Sequence, residues 1–297
     1  MLDALVKSEG APDVVQISVG EPTLHPDFFA VLDAAKSRPI RHLMVNTNGI
    51  RIARESQFAE QLARYAPGFE IYLQFDSLDD AVFMKMNDVD FPVSRVLEGI
   101  DAAARAGLAP VKINMVVKRS TNLQEIIPMA RHFRGTGITL RFIEYMDVGE
   151  TNGWQMDEVL PSAELIKLLQ TEFPLIPLEA RAPGETAQRW GYANASGQFD
   201  PSLGEVGVIS SVTQAFCGDC NRARLSTEGQ LYLCLFAAQG HDLRSLLRQG
   251  ASDEDILSAI GLIWQQRDDR YSELRGLQPP SAPATGKKRV EMSYIGG

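Results

Sequence analysis

The run Val111-Lys112-Ile113-Asn114-Met115-Val116-Val117, then a helical pattern over 122–134, then Thr139-Leu140-Arg141-Phe142-Ile143-Glu144-Tyr145-Met146, decides the fold. Branched and apolar residues make the outer pieces strands, and a helix between successive strands is the crossover that parallel pairing needs. The alternation extends towards the N-terminus. A helix over 92–106 follows Phe69-Glu70-Ile71-Tyr72-Leu73-Gln74-Phe75, and a helix over 53–65 follows His42-Leu43-Met44-Val45-Asn46-Thr47. An apolar helical pattern through Phe28, Phe29, Val31, Leu32 and Ala35 follows Asp13-Val14-Val15-Gln16-Ile17-Ser18-Val19. Five strand–helix units with near-continuous apolar strands predict an α/β fold, a parallel sheet covered by helices.

Sheets of this kind place their chemistry at the C-terminal ends of the strands. Polar residues gather there: Gly20 and Glu21, Asn46 to Asn48, Asp76 and Ser77, Asn114, and Glu144 to Met146. Any one of them reads as a turn former or helix cap. Their recurrence over successive strands predicts an open barrel with a cleft along its upper rim. Beyond the loop Gly149 to Gly153 come a helix near 162–172, glycine-spaced β-like runs over 183–215 that predict an antiparallel extension, and helices near 241–248 and 252–265. Residues 1–10 read as the tail of a helix, and 279–286 as a loose linker before the terminal Gly296-Gly297.

All the cysteines of the chain lie in one short stretch, Cys217, Cys220 and Cys234, spaced C-x2-C-x13-C. Two thiolates on one turn can face a common metal, and a third arrives from the end of the hairpin-like segment Gly229 to Cys234. Three thiolates without a fourth leave one coordination position open for substrate. Arg222 and Arg224 stand beside them as donors for an anionic group. Two other readings stay open: buried apolar cysteines, and a zinc site with His241 as the fourth ligand.

The 297 residues are 44% hydrophobic, enough to bury a full core. No run of about eighteen apolar residues occurs, so no membrane span is expected. The opening Met1-Leu2-Asp3-Ala4-Leu5-Val6-Lys7 lacks the pattern of a secretory leader, which predicts the reducing cytoplasm and free thiols. A formal net charge of −9 argues against a nucleic-acid polymer as partner but leaves room for a nucleotide held by focused cations.

From about Asp76 to the C-terminus the chain resembles the radical SAM GTP 3′,8-cyclases of molybdenum-cofactor biosynthesis. The likeness rests on Ala106-Gly107-Leu108-Ala109-Pro110-Val111-Lys112-Ile113-Asn114, on Leu140 to Met146, on Cys217 to Phe236 and on the final Gly296-Gly297. It implies a lyase that makes 3′,8-cyclo-7,8-dihydro-GTP. A radical derived from S-adenosyl-L-methionine (SAM) would take the ribose 3′ hydrogen of GTP, and the ribose would close on guanine C8. It implies a C-terminal 4Fe–4S cluster on Cys217, Cys220 and Cys234, with guanine at its open iron. It also implies GTP contacts from Lys112, Arg222, Ala223 and Arg224, and SAM contacts from Gly20, Glu21, Asn46 and Met146. Downstream, a cyclic pyranopterin synthase accessory protein is implied as partner, with a homodimer among the oligomeric states left open.

The chain departs from that family in two respects. It has no C-x3-C-x2-C for the cluster that cleaves SAM, so the expected architecture is an incomplete (β/α) barrel lacking its first strand and cluster loop, N-terminally truncated and inactive as written. A second 4Fe–4S cluster is expected only in a longer chain. Residues 1–75, through Ser18 to Phe29 and Arg41 to Arg51, resemble another radical SAM branch, with Gln16, Asn46 and Gln74 where the cyclases carry arginine, threonine and serine. The expected division is 1–150, a partial barrel, and 151–297, the cluster- and GTP-binding region. A non-catalytic nucleotide- or zinc-binding accessory protein is the alternative.

Overall fold

The computed structural model describes residues 13–18, 20–149, 153–182, 184–218, 220–275 and 290–295. The helix tail over 1–10, the linker over 279–286 and Gly296-Gly297 lie outside the described residues. The strands are β1 Val14–Ile17, β2 His42–Thr47, β3 Phe69–Gln74, β4 Val111–Val117, β5 Thr139–Glu144, β6 Leu175–Leu178, β7 Gln188–Tyr192, β8 Glu205–Ile209, β9 Arg224–Leu225, β10 Gln230–Tyr232 and β11 His241–Asp242. The helices are α1 Phe28–Lys36, α2 Ile50–Arg54, α3 Ser56–Ala63, α4 Asp80–Asn87, α5 Val93–Arg105, α6 Arg119–Asn122, α7 Ile126–Phe133, α8 Ser162–Gln170, α9 Leu243–Arg248, α10 Asp253–Gln265, α11 Tyr271–Leu274 and α12 Met292–Ile295.

Contacts divide the chain into two compact units. One comprises Met1–Val45, Asp147–Gly153 and Cys217–Gly297, and the other Asn46–Met146 and Trp154–Phe216. Each unit therefore draws on both sides of a single cut at residue 150.

In the second unit the sheet runs β3-β4-β5-β8-β7-β6. The pairs β3–β4, β4–β5 and β5–β8 are parallel, in registers such as Ile113↔Leu140 and Phe142↔Val208, whereas β8–β7 and β7–β6 are antiparallel. The expected antiparallel extension is thus present, but its innermost strand, β8, joins the parallel sheet. Burial alternates along β4 and β5. Ile113, Met115, Val117, Leu140 and Phe142 are sealed in the core with Val96, Ile100, Ala103, Met129 and Phe133 of the covering helices. The buried residues of α5 recur at three- and four-residue steps, as an amphipathic helix requires. The opposite face of β3, β4 and β5 carries half-buried Glu70, Gln74, Lys112, Asn114 and Arg141 beside buried Tyr72, which the near-continuous apolar reading did not separate.

Two helical expectations change in detail, and one helix is additional. The helix over 53–65 is two helices, α2 and α3, because Glu55 between them is extended, at φ −117° and ψ 94°. The helix over 122–134 is α7 alone with short turns before it; buried Asn122 bonds Lys118 N, Asp76 O and Val116 O instead of continuing the ladder. Helix α4, capped by the Asp79 carboxylate on Val82 N at 2.9 Å, was not anticipated.

In the first unit β1 pairs in parallel with β2 through Val14↔His42 to Ile17↔Val45. The C-terminal part is a small sheet, β11-β10-β9, antiparallel throughout. Its core is Leu231, Leu233 and Leu243, with Leu246, Ile260 and Ile263 packed against them. Ser252 and Asp255 form a reciprocal capping box at the start of α10.

Candidate functional site

Cys217 and Cys220 sit on a turn closed by Cys220 N on Cys217 O at 3.3 Å, and Cys234 follows β10. The hairpin β9–β10 brings the two thiol-bearing pieces into one unit, as its spacing predicts. All three thiols are free and partly buried. Cys217 and Arg224 both act electrostatically on Cys234. Arg222 donates to Cys220 Sγ at 3.4 Å.

Burial resists ionisation of Cys220, but hydrogen bonds from Arg267 and Arg222 and the Arg222 charge outweigh it and hold the thiol at about 7. Burial pushes the Cys234 thiol up, with the Phe236 N–H and the Arg224 charge opposing it. Burial and the neighbouring Arg222 charge lower Arg224 to about 10, while the two cysteines favour its charged form. Ala223, between the arginines, is exposed.

Among the described residues no three His, Cys, Asp or Glu side chains close around a point as the shell of one metal ion does. His241, the fourth ligand of the zinc reading, lies exposed on β11. A cluster bound through separate irons spreads its thiolates wider than a single ion does, and soft sulfur donors suit it. The donor set is chemically compatible with an iron–sulfur cluster.

Lys112 belongs to the second unit, on the polar face of the parallel strands. Its Nζ lies 2.7 Å from Glu70 Oε2 and 3.2 Å from Tyr72 Oη, in an ion pair whose side chains are 15% and 14% exposed. Arg141, one strand over, donates to Asn114 Oδ1 at 2.9 and 2.7 Å and stacks 4.2 Å from the Tyr72 ring centroid. Burial lowers the Arg141 pKa, with Tyr72 and Glu70 opposing. Gly207 leaves room for that side chain, since a Cβ there would sit 2.9 Å from Arg141 Cγ. At the ends of the strands, Asp76 accepts from Gln74 Nε2 and Val116 N, each at 2.7 Å; burial raises its carboxyl to about 6 despite these bonds.

Among the SAM candidates, Gly20 takes φ +57° with open space where a side chain would project. Glu21 turns back on itself, accepting Thr23 N and Oγ1 at 3.1 and 2.5 Å. Asn46 is the penultimate residue of β2, half-buried, and Met146 follows β5, also half-buried. Gly20 and Glu21 belong to one unit, Asn46 and Met146 to the other. Glu144, before Met146, accepts from Ser162 N and Oγ, Val212 N, and Thr213 N and Oγ1, so it fixes the loop that leads to Phe216.

Sequence reasoning missed Arg141 and Arg267. Arg141 carried a signal, a cation within a strand three residues before a buried glutamate. Arg267 lies in the charged run Gln265-Gln266-Arg267-Asp268-Asp269-Arg270, which looks like an ordinary solvated face.

The family model of the Radical SAM superfamily matches residues 1–133, and that of Molybdenum Cofactor Synthesis C matches residues 138–273. With the parallel strands and their covering helices, this defines an α/β fold of the radical SAM type and an enzyme of that class, whose chemistry uses SAM and iron–sulfur clusters. A GTP 3′,8-cyclase of Acidothermus cellulolyticus is 40% identical over 304 residues, covering 95% of this chain and 81% of its own length. One of Xanthomonas campestris pv. campestris is 40% identical over 299 residues, covering 100% of this chain, residues 1–75 included, and 83% of its own. One of Staphylococcus epidermidis is 33% identical over 286 residues, covering 95% and 80%. The chain belongs to the GTP 3′,8-cyclase family, associated with molybdenum-cofactor synthesis. No helix among the described residues is long and apolar enough to cross a membrane.

Proposed function

We propose that this chain binds GTP at a 4Fe–4S cluster held by Cys217, Cys220 and Cys234, as the substrate-anchoring part of a GTP 3′,8-cyclase. The observation that carries the reading is the gathering of Arg222 and Arg224 about the thiols, with Arg222 on Cys220 Sγ and Arg224 acting on both Cys220 and Cys234. Guanidinium groups set back from water make strong charge-assisted bonds to an anion, about 1.5–3 kcal/mol each. When bound, the cluster supplies an iron able to coordinate the guanine end of GTP. The protein's own groups orient the nucleotide: Arg222 and Arg224 with the Ala223 backbone at the cluster, and Lys112 by its ammonium.

SAM is assigned to Gly20, Glu21, Asn46 and Met146. The open space at Gly20 supports close approach of a ligand to the backbone there. The reaction then depends on holding one ribose hydrogen in place, which is a task of positioning. These 297 residues contain only one set of three cysteines. We therefore expect them, taken alone, to bind GTP without cleaving SAM. The cytoplasm as compartment and a pyranopterin synthase accessory protein as downstream partner belong to the same proposal.

Anaerobic reconstitution with iron and sulfide, followed by equilibrium dialysis of GTP, tests it. One cluster per chain with GTP binding supports the reading. Colourless protein holding stoichiometric zinc would defeat the cluster assignment and favour the zinc-binding alternative.

A further inference from the structure

We propose that the segment Arg267 to Arg275 is a strap that positions the thiol site, with Arg267, Tyr271 and Glu273 as its positioning residues. The proposal rests on the cluster reading of Cys217, Cys220 and Cys234. One short piece of chain, arriving from the end of α10 and including α11, touches the neighbourhood of both thiol-bearing segments. The Arg267 guanidinium donates to the Cys220 carbonyl and lies 5.0 Å from the centroid of the Trp264 ring. Glu273 Oε1 accepts Gly218 N at 3.2 Å, within the Cys217–Cys220 turn, while Oε2 takes Arg270 Nε at 2.6 Å.

On the other side the Tyr271 ring stacks on Phe236 at 4.6 Å, and the N–H of Phe236 donates to Cys234 Sγ at 3.4 Å. Arg275 lies 5.0 Å from the Phe236 ring centroid and 5.5 Å from that of Tyr271, and pairs with Asp147 at 2.7 Å with both side chains 8% exposed. The Tyr271 hydroxyl also donates to Asp147.

The consequence is geometric. Cys220 and Cys234 are separated by a hairpin whose strand β9 has two residues and β10 three, too slight a sheet to fix thiol positions closely. Arg267 holds the Cys220 carbonyl and Glu273 the N–H of Gly218, next to Cys217, Tyr271 reaches the third cysteine through Phe236, and the buried Arg275–Asp147 pair anchors the strap. Groups that orient metal ligands without touching the metal commonly govern affinity by about 10–100-fold.

The test is iron release from the reconstituted full chain to a chelator, read with the electron paramagnetic resonance (EPR) spectrum of the reduced cluster and the melting temperature. Arg267→Gln and Glu273→Gln are expected to release iron about tenfold faster or more, with altered spectra and a melting temperature near that of the parent. Arg267→Lys is expected to restore part of the retention. Tyr271→Phe keeps the stack, loses the hydroxyl bond to Asp147 and is expected to show a smaller change of the same kind. Should Arg267→Gln fail to fold, Glu273→Gln and Tyr271→Phe carry the test. Parental release rates and spectra in the folded variants would overturn the strap alone. A parent chain that takes up no cluster would overturn the cluster reading, and the strap with it.

Discussion

Two regions of this protein hold arginine or lysine away from bulk water, and they do so differently. On the polar face of the parallel strands, Lys112 is paired with Glu70, and Arg141 is bonded to Asn114 and stacked on Tyr72. Around the thiols, Arg222 and Arg267 bond to Cys220, and burial together with the neighbouring Arg222 and Arg267 charges lowers the Arg224 pKa to about 10. The first region resembles a completed network, whose members satisfy one another. The second concentrates positive charge where the balancing partners are thiols, which carry that balance only when deprotonated to thiolates, as metal binding requires. A region of the second kind gains most from a cluster and an anionic ligand.

The largest effect that would break this contrast concerns the thiols. Cys234→Ser is expected to abolish cluster retention, measured as iron and sulfide per chain, because two remaining thiolates cannot hold the group in place. Arg224→Ala comes next. It is expected to weaken GTP binding about 10–100-fold, as loss of a charge-assisted bond of about 1.5–3 kcal/mol implies, with iron content unchanged. Equal GTP affinity in that variant would remove Arg224 from the site.

Lys112 sharpens the contrast from the other side. Since Glu70 already balances its charge, Lys112→Ala is expected to raise the Kd for GTP by less than Arg224→Ala does, about tenfold or below. Glu70→Gln is expected to lower the Kd by a few-fold, the opposite sign, because the ammonium is then available to a phosphate. A Kd raised by Glu70→Gln would mark the pair as structural.

The last effect is on stability and lies outside both regions' binding. Asp76 is raised from 3.8 to about 6, so the fold favours its neutral form. The stabilisation this gives is present below about pH 4 and is lost as pH rises towards 6. Between these values the parent chain should lose about 1–3 kcal/mol relative to Asp76→Asn in denaturant unfolding. Parallel pH profiles for the two proteins would show that Asp76 ionises normally in the fold.

The same contrast explains what could be read from the sequence. The strand–helix alternation was legible because burial on helix-facing sides demands residues such as Ile113, Met115 and Phe142, which mark a strand locally. The gathering of cysteines and arginines was legible because cysteines are rare in the chain and lie close in sequence. Glu55 and Asn122 ended helices through backbone and buried side-chain bonding that no local periodicity signals. Arg267 and Glu273 were hidden because their partners, Cys220 and Gly218, lie far away in sequence, and a charged run after a helix resembles a solvated surface. Arg141 looks in the sequence like any residue of a strand, and only the register with Asn114 reveals what it bonds to.

The most direct test is EPR of the reduced, reconstituted cluster titrated with GTP. If Cys217, Cys220 and Cys234 hold a 4Fe–4S cluster whose open iron takes the guanine, the signal shifts saturably with GTP and the shift is weakened in Arg224→Ala. A cluster spectrum indifferent to saturating GTP would contradict it.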